Sequence, residues 1–139
     1  MAGYSGTPLV KKLGIKEGFN IVFVNAPKNF KSDLDLPSEV RVNTSATRQP
    51  LDFVLLFVKT EKDLLQKFVH LAAKLKPNGM LWVAWPKKSS GVPTDLSFTN
   101  VQAIGLDAGL VDVKICAVDE TWSGLKFVIR VKDRPRRSI

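Results

Sequence analysis

Residues 51–88, LDFVLLFVKTEKDLLQKFVHLAAKLKPNGMLWVAWPKK, constrain the fold more than any other part of the chain. Two of their segments, 53–58 (FVLLFV) and 80–85 (MLWVAW), are apolar without alternation. A strand with one face in water alternates apolar and polar side chains, whereas a parallel strand covered on both faces does not. Between them, Thr60 supplies a hydroxyl cap, and Glu61 and Asp63 place negative charge in the first helical turn, where the helix dipole favours it. Leu64, Phe68, Leu71, Ala72 and Leu75 recur at helical spacing as a buried stripe, with Gln66, Lys67, His70 and Lys74 opposite. Lys76-Pro77-Asn78-Gly79 then stops the helix and turns the chain. A strand, a crossover helix and a strand of these lengths predict a right-handed parallel βαβ unit.

The flanking segments extend this unit into a larger sheet. Thr7-Pro8 opens a short helix over Leu9 to Leu13, with Thr7 as cap and Pro8 at the first helical position; Gly14 ends it. Residues 19–24 (FNIVFV) read as a strand, broken by Asn25-Ala26-Pro27-Lys28. Residues 31–38 read as loop, 39–42 as a short strand, and 43–50 as a polar, turn-rich link. Residues 86–93 (PKKSSGVP) read as a mobile loop and 96–108 as a helix ended by Gly109. Gly105 inside that helix costs ~1 kcal/mol relative to alanine, which points to close packing at that position. Residues 111–118 and 125–131 form two further strands, and their short connection through 119–124 predicts an antiparallel hairpin. The expected fold is α/β: one domain over 1–139, with a three-layer, Rossmann-like mixed sheet, parallel at its centre and antiparallel at its C-terminal hairpin.

Composition limits the function classes. Hydrophobic residues make up 45% of the 139, so the chain is globular, and no apolar run reaches the ~20 residues of a membrane-spanning helix. The opening MAGYSGTPLVKK lacks the apolar core of a signal peptide. One cysteine, Cys116, allows no intrachain disulfide. These features predict a cytoplasmic protein with no membrane partner. The net charge is +8, and part of the excess lies in a basic tail, 132–139, that is expected to fray. Such charge suits an anionic ligand or nucleic acid, and equally a lysine-rich solvated surface.

The order of elements from Asp52 onward resembles the second half of class I S-adenosylmethionine-dependent methyltransferases. The resemblance rests on Leu51-Asp52-Phe53-Val54, the LKPGG-like Leu75-Lys76-Pro77-Asn78-Gly79, the apolar run 80–85, Ala108-Gly109-Leu110 and the terminal hairpin. It implies the fold far more specifically than the activity. That family holds its cofactor mainly through the first half, with a glycine-rich loop after the first strand and an acidic residue ending the second. Here the first strand runs into Asn25-Ala26-Pro27-Lys28, no acidic residue ends a second strand, and too little chain separates Val24 from Asp52 for the usual elements. The resemblance thus implies a shortened sheet that has lost the ordinary cofactor pocket. The opening GYSGTPLVKKLGIKEG also resembles a family of small bacterial proteins of unknown function, which implies a bacterial origin.

In an open parallel sheet, ligands bind beyond the carboxyl ends of the strands, where strand order reverses. The predicted ends carry Asn25 and Lys28, Lys59 and Thr60, and Trp85, Lys87 and Lys88. Thr60 also opens a helix, and a helix N-terminus favours anions. These residues are candidates for an anion-binding edge; solvated loop lysines are the plainer account of them. Trp85 at a strand end and Trp122 in the hairpin loop offer stacking surfaces, or else cover the sheet end. Asp119 and Glu120 could act as acids or bases, but no second group at a defined spacing supports them. His70 lies on a polar helix face, and with one histidine and one cysteine there is no metal-ligand cluster. Neither GxxxxGK[ST] nor GxSxG occurs.

Three readings follow. The first is a non-catalytic binding or interaction module on a shortened methyltransferase-like scaffold, with an anionic ligand and no cofactor. The second is a methyltransferase that binds S-adenosylmethionine through an atypical site. The third is a nucleic-acid-binding accessory. A homodimer through a sheet edge left uncovered by the shortened first half is a further expectation.

Overall fold

Strands that are apolar on both faces need cover on both sides, and short local elements provide it. The computed structural model describes residues 8–43 and 50–134. In chain order these form α1 (Leu9–Leu13), β1 (Asn20–Val24), β2 (Arg41–Asn43), β3 (Leu51–Phe57), α2 (Glu61–Ala72), β4 (Leu75–Pro86), α3 (Phe98–Asp107), β5 (Leu110–Ala117) and β6 (Trp122–Ile129). The described strands make one six-stranded sheet of order β2-β1-β3-β4-β6-β5. β1 runs parallel to β2 and β3, and β3 runs parallel to β4. β6 is antiparallel to both β4 and β5. This is the expected α/β mixed sheet with an antiparallel C-terminal pair.

β3 lies at the centre and buries every side chain except Asp52. Val54 and Leu56 face α2 and α3, packing with Leu64, Phe68, Leu71 and Val101. Phe53, Leu55 and Phe57 face the other side, packing with Leu13, Phe30 and Trp82. Fully burying one such side chain contributes about 1.5–3 kcal/mol, so this strand carries much of the stability. Asp52 is the exception because it has backbone to satisfy. Its Oδ2 accepts the N–H of Asn20 at 2.8 Å, and its Oδ1 pairs with Lys76 Nζ at 3.1 Å.

Two of the helices are capped by their own polar side chains. Thr60 Oγ1 accepts the Asp63 N–H at 3.1 Å and starts α2. Ser97 and Asn100 form a capping box that starts α3, two residues after the expected Leu96. Pro8 is the N-cap of α1 rather than its first helical residue, and Thr7 lies outside the described residues. α1 is tied to the sheet by the buried Trp82 Nε1–H, which donates to Leu13 O at 2.9 Å.

Further sequence expectations change. Lys76-Pro77-Asn78-Gly79 does not separate helix from strand: β4 already begins at Leu75, and these residues bulge out between the pairs Leu51–Leu75 and Phe53–Met80. Gly79 fits there because a Cβ would stand 2.7 Å from Leu51 O. Trp122 is not in a loop but opens β6, opposite Pro86. Residues 86–93, expected as a mobile loop, begin in β4 and continue through a 3-10 turn at Lys88–Ser90 closed by Ser90 Oγ donating to Lys87 O. The last strand ends at Ile129, two residues before the expected Val131, because Val131–Asp133 winds into a 3-10 turn.

The shortened first half is equally clear. Between β1 and β3 the described residues hold a single three-residue strand, β2, and no helix. The short strand expected at 39–42 falls at Arg41–Asn43, since Glu39 sits at φ 60°, outside strand geometry. Among the described residues no helix is long and apolar enough to cross a membrane.

Candidate functional site

Strand order reverses at β1: the chain moves outward to β2, then returns to the other side of β1 at β3. The carboxyl ends of β1 and β3 therefore flank the crevice where ligands of such sheets bind. After Val24 the chain turns sharply at Asn25, whose φ is 59°. Asparagine tolerates this left-handed conformation better than most residues. Its side-chain N–H donates to Phe57 O at 3.3 Å, bridging the two strand ends.

Beneath this bridge runs a chain of edge-to-face aromatic contacts. Phe23 meets Phe30 at 5.5 Å, Phe30 meets Phe57 at 5.0 Å, and Phe57 meets Trp122 at 5.0 Å between ring centroids. Phe30 comes from the irregular segment after β1 and is buried against the sheet, where it helps to do the work of a missing helix. Trp122 is held by the turn before it. Asp119 Oδ1 accepts the N–H groups of Thr121 and Trp122 at 2.8 and 2.9 Å. That carboxylate, considered above as an acid or base, is engaged in fixing the turn.

A cleft of about 380 Å³ opens over the last two of these rings, lined by Asn25, Pro27, Phe57, Val58, Lys59, Thr60, Asp63 and Trp122. Four of the sequence-derived candidates thus come together: Asn25, Lys59, Thr60 and Trp122. Four do not line it. Lys28 is exposed on the turn beyond Asn25. Trp85 is only 5% exposed and belongs to the core under α2 and α3, so it offers no stacking surface. Lys87 and Lys88 continue past β4, where the Lys87 N–H donates to Thr121 O at 2.8 Å. Sequence reasoning missed Pro27, Phe57, Val58 and Asp63. Phe57 and Val58 were legible as strand end, but nothing local marked them as a lining.

The cleft is mixed in charge rather than simply basic. Lys59 is exposed at its rim, and Asp63 is held by Lys67 at 3.0 Å. The N-terminus of α2 is already served from within the chain. Asp95 Oδ1 accepts the Glu61 N–H at 2.8 Å, and Thr94 Oγ1 donates to Lys59 O at 2.6 Å. An anion at Thr60 would have to share this end with Asp95.

The same ends would hold S-adenosylmethionine in the resembling methyltransferases, and the residues present do not fit their usual mode. The turn after β1 carries side chains where a glycine-rich loop would admit the cofactor, and Pro27 lines the cleft itself. β2 ends in Asn43, whose amide donates to Asn20 Oδ1 at 2.7 Å and to Ile21 O at 3.0 Å. Residues 44–49, Thr-Ser-Ala-Thr-Arg-Gln, contain no acid for ribose hydroxyls. Among the described residues no group of three or more His, Cys, Asp or Glu side chains is placed to hold a metal ion.

The model of a family described as "Protein of unknown function (DUF3052)" matches residues 13–131. The chain belongs to this family. No curated protein matches it. Among solved structures, a SAM-dependent methyltransferase from Aquifex aeolicus is similar at 16% identity and a TM-score of 0.57, over 86% of each chain. A TehB-like SAM-dependent methyltransferase from Corynebacterium glutamicum is similar at 9% identity and a TM-score of 0.59, over 88% of this chain and 85% of that one. Aeropyrum pernix fibrillarin, solved with natively bound S-adenosyl-L-methionine, is similar at 15% identity and a TM-score of 0.57, over 91% of this chain and 70% of that one. At these identities the likeness concerns the fold, which is that of the class I methyltransferases.

Proposed function

We propose that the protein is a non-catalytic binding module, with its ligand site in the cleft at the carboxyl ends of β1 and β3. The observation that carries this reading is the Asn25 bridge to Phe57, set over the Phe57–Trp122 wall at the point where strand order reverses. The switch point keeps its position, while the turn that would admit a methyltransferase cofactor is filled with side chains. The ligand is a small molecule with a flat or apolar part for the aromatic wall and an anionic group for Lys59. Catalysis has little support among the lining groups. Among the described residues, Asp63 is the one carboxylate lining the cleft and is paired with Lys67, and no nucleophile is activated by a base beside it.

The test is an NMR titration of ¹⁵N-labelled protein with a panel of small carboxylates, phosphates and nucleosides. Shifts gathered at Asn25, Lys59, Thr60 and the Trp122 indole, and lost in Asn25→Ala, support the reading. Shifts scattered elsewhere, or a methylated product in a transfer assay, overturn it.

A second reading, a methyltransferase with an atypical cofactor site, draws on one observation. The cleft lies at strand ends of a sheet shared with proteins solved with S-adenosylmethionine bound. Including S-adenosylmethionine in the panel separates the two.

A further inference from the structure

The sheet face that carries α1 is covered only in part, because α1 has five residues. Beyond it, β4, β6 and β5 present one row of side chains: Trp82 pairs with Lys126, and Lys126 pairs with Lys114. Two lysines thus stand directly opposite each other on neighbouring strands, an arrangement that is ordinarily destabilising. They share a face because of an irregularity in β5. Asp112 pairs with Phe127 and Lys114 with Lys126, so Val113 is the extra residue. Asp112 consequently turns to the opposite face, where its carboxylate accepts from Gln102 Nε2 of α3 at 3.1 Å. The side chains of β4, β6 and β5 on the α1 face include no acid.

Further restraint comes from the segment around α1. Lys114 Nζ donates to Lys12 O at 2.9 Å, which fixes one of its three donors and holds it beside Lys126. Burial, then Lys114, then Lys16 push the Lys126 ammonium below its ordinary pKa. Neither Lys16, Lys114 nor Lys126 forms an ion pair with a carboxylate of the described residues.

We infer that Lys114 and Lys126 form a second anion site, separate from the strand-end cleft, that takes a compact polyvalent phosphate. The row is short and Lys126 is half-buried, so the site suits a small anion that reaches the sheet rather than an extended backbone passing over it. Lysine serves phosphate as a point charge, and two ammonium groups on one sheet face, with no acid on that face of the neighbouring strands, match an anion of charge two or more.

The probe is inorganic pyrophosphate, titrated calorimetrically into the full chain at low salt, beside a single-stranded oligonucleotide. A saturable pyrophosphate isotherm is expected, weakened at least tenfold by Lys126→Met and by Lys114→Gln and unchanged by Lys88→Gln. Lys114 is exposed, so its variant keeps the test open should Lys126→Met fold poorly. No saturable binding, or wild-type affinity in both patch variants, overturns the proposal. So does binding of the oligonucleotide alone, which would assign the patch to a polymer backbone. Asn25→Ala, which removes the cleft bridge, should leave pyrophosphate affinity unchanged; this keeps failure here distinct from failure of the cleft reading.

Discussion

Gly105 on α3 lies against the ring of Phe127 on β6 so closely that a Cβ at position 105 would overlap Cε1, Cζ and Cδ1. Phe127 is fully buried and held edge-on by Phe68 of α2 at 5.2 Å, so the ring cannot easily yield. Gly105→Ala gains about 1 kcal/mol of helix propensity but overpacks a core at a cost of roughly 1–3 kcal/mol. The net expectation is a loss of stability in urea unfolding. Phe127→Leu in the Gly105→Ala background should cost less than it does alone, giving a coupling energy of about 0.5–3 kcal/mol in a double-mutant cycle.

Asp52 leads β3 for a structural reason, since it accepts the Asn20 N–H and pairs with Lys76. Asp52→Ala leaves a part-buried donor without its partner and should cost about 1–3 kcal/mol. Asp52→Asn keeps an acceptor and loses mainly the Lys76 pair, whose ammonium is well exposed, so it should cost less than about 1 kcal/mol. Equal losses in thermal unfolding would contradict the assignment of Asp52 to the strand backbone.

Trp122 tests where the hairpin ends. As a loop side chain it would cost little to remove, within about 0.5 kcal/mol. As the first residue of β6, 8% exposed and edge-on to Phe57, it should cost about 3–5 kcal/mol on conversion to alanine. Denaturant midpoints of the two proteins decide between these values.

Lys126 sets a pH dependence of known sign. Its folded pKa is lowered from 10.5 by burial, then by Lys114 and Lys16. Below the folded value both states carry the proton, and the repulsion is fully present. As pH rises from the folded value to 10.5 the folded state releases its proton first, so this group's contribution to stability rises with pH. Lys126→Met should therefore be more stable than wild type near neutrality, by about 0.2–1 kcal/mol for the opposed pair, and the difference should shrink as pH approaches 10.5. A difference that is constant over this range would contradict the like-charge contact.

The centre of the fold was legible because its causes are local. Burial on both faces forces the unbroken apolar runs of β3 and β4, and Thr60 announces α2 by the cap it makes. Gly105 was readable as a close contact, although not its partner. What escaped depends on distant pairing. Trp122 enters β6 only because Pro86 lies opposite, and the bulge after Leu75 follows from the register with β3. By simple alternation Asp112, Lys114 and Cys116 would share a face, and the extra residue Val113 separates the acid from the lysine. Of the site, strand ends gave Asn25, Lys59 and Thr60. Asp95 at the start of α2 lies 34 residues from its partner and left no sequence signal.

We propose that the first half keeps the position of a ligand cleft while losing the fittings of the methyltransferase cofactor. Calorimetric titration of the intact chain with S-adenosylmethionine tests it most directly. No saturable heat is expected at high-micromolar protein. A saturable isotherm that Asn25→Ala or Trp122→Phe weakens tenfold or more would contradict it and assign the cleft to the cofactor.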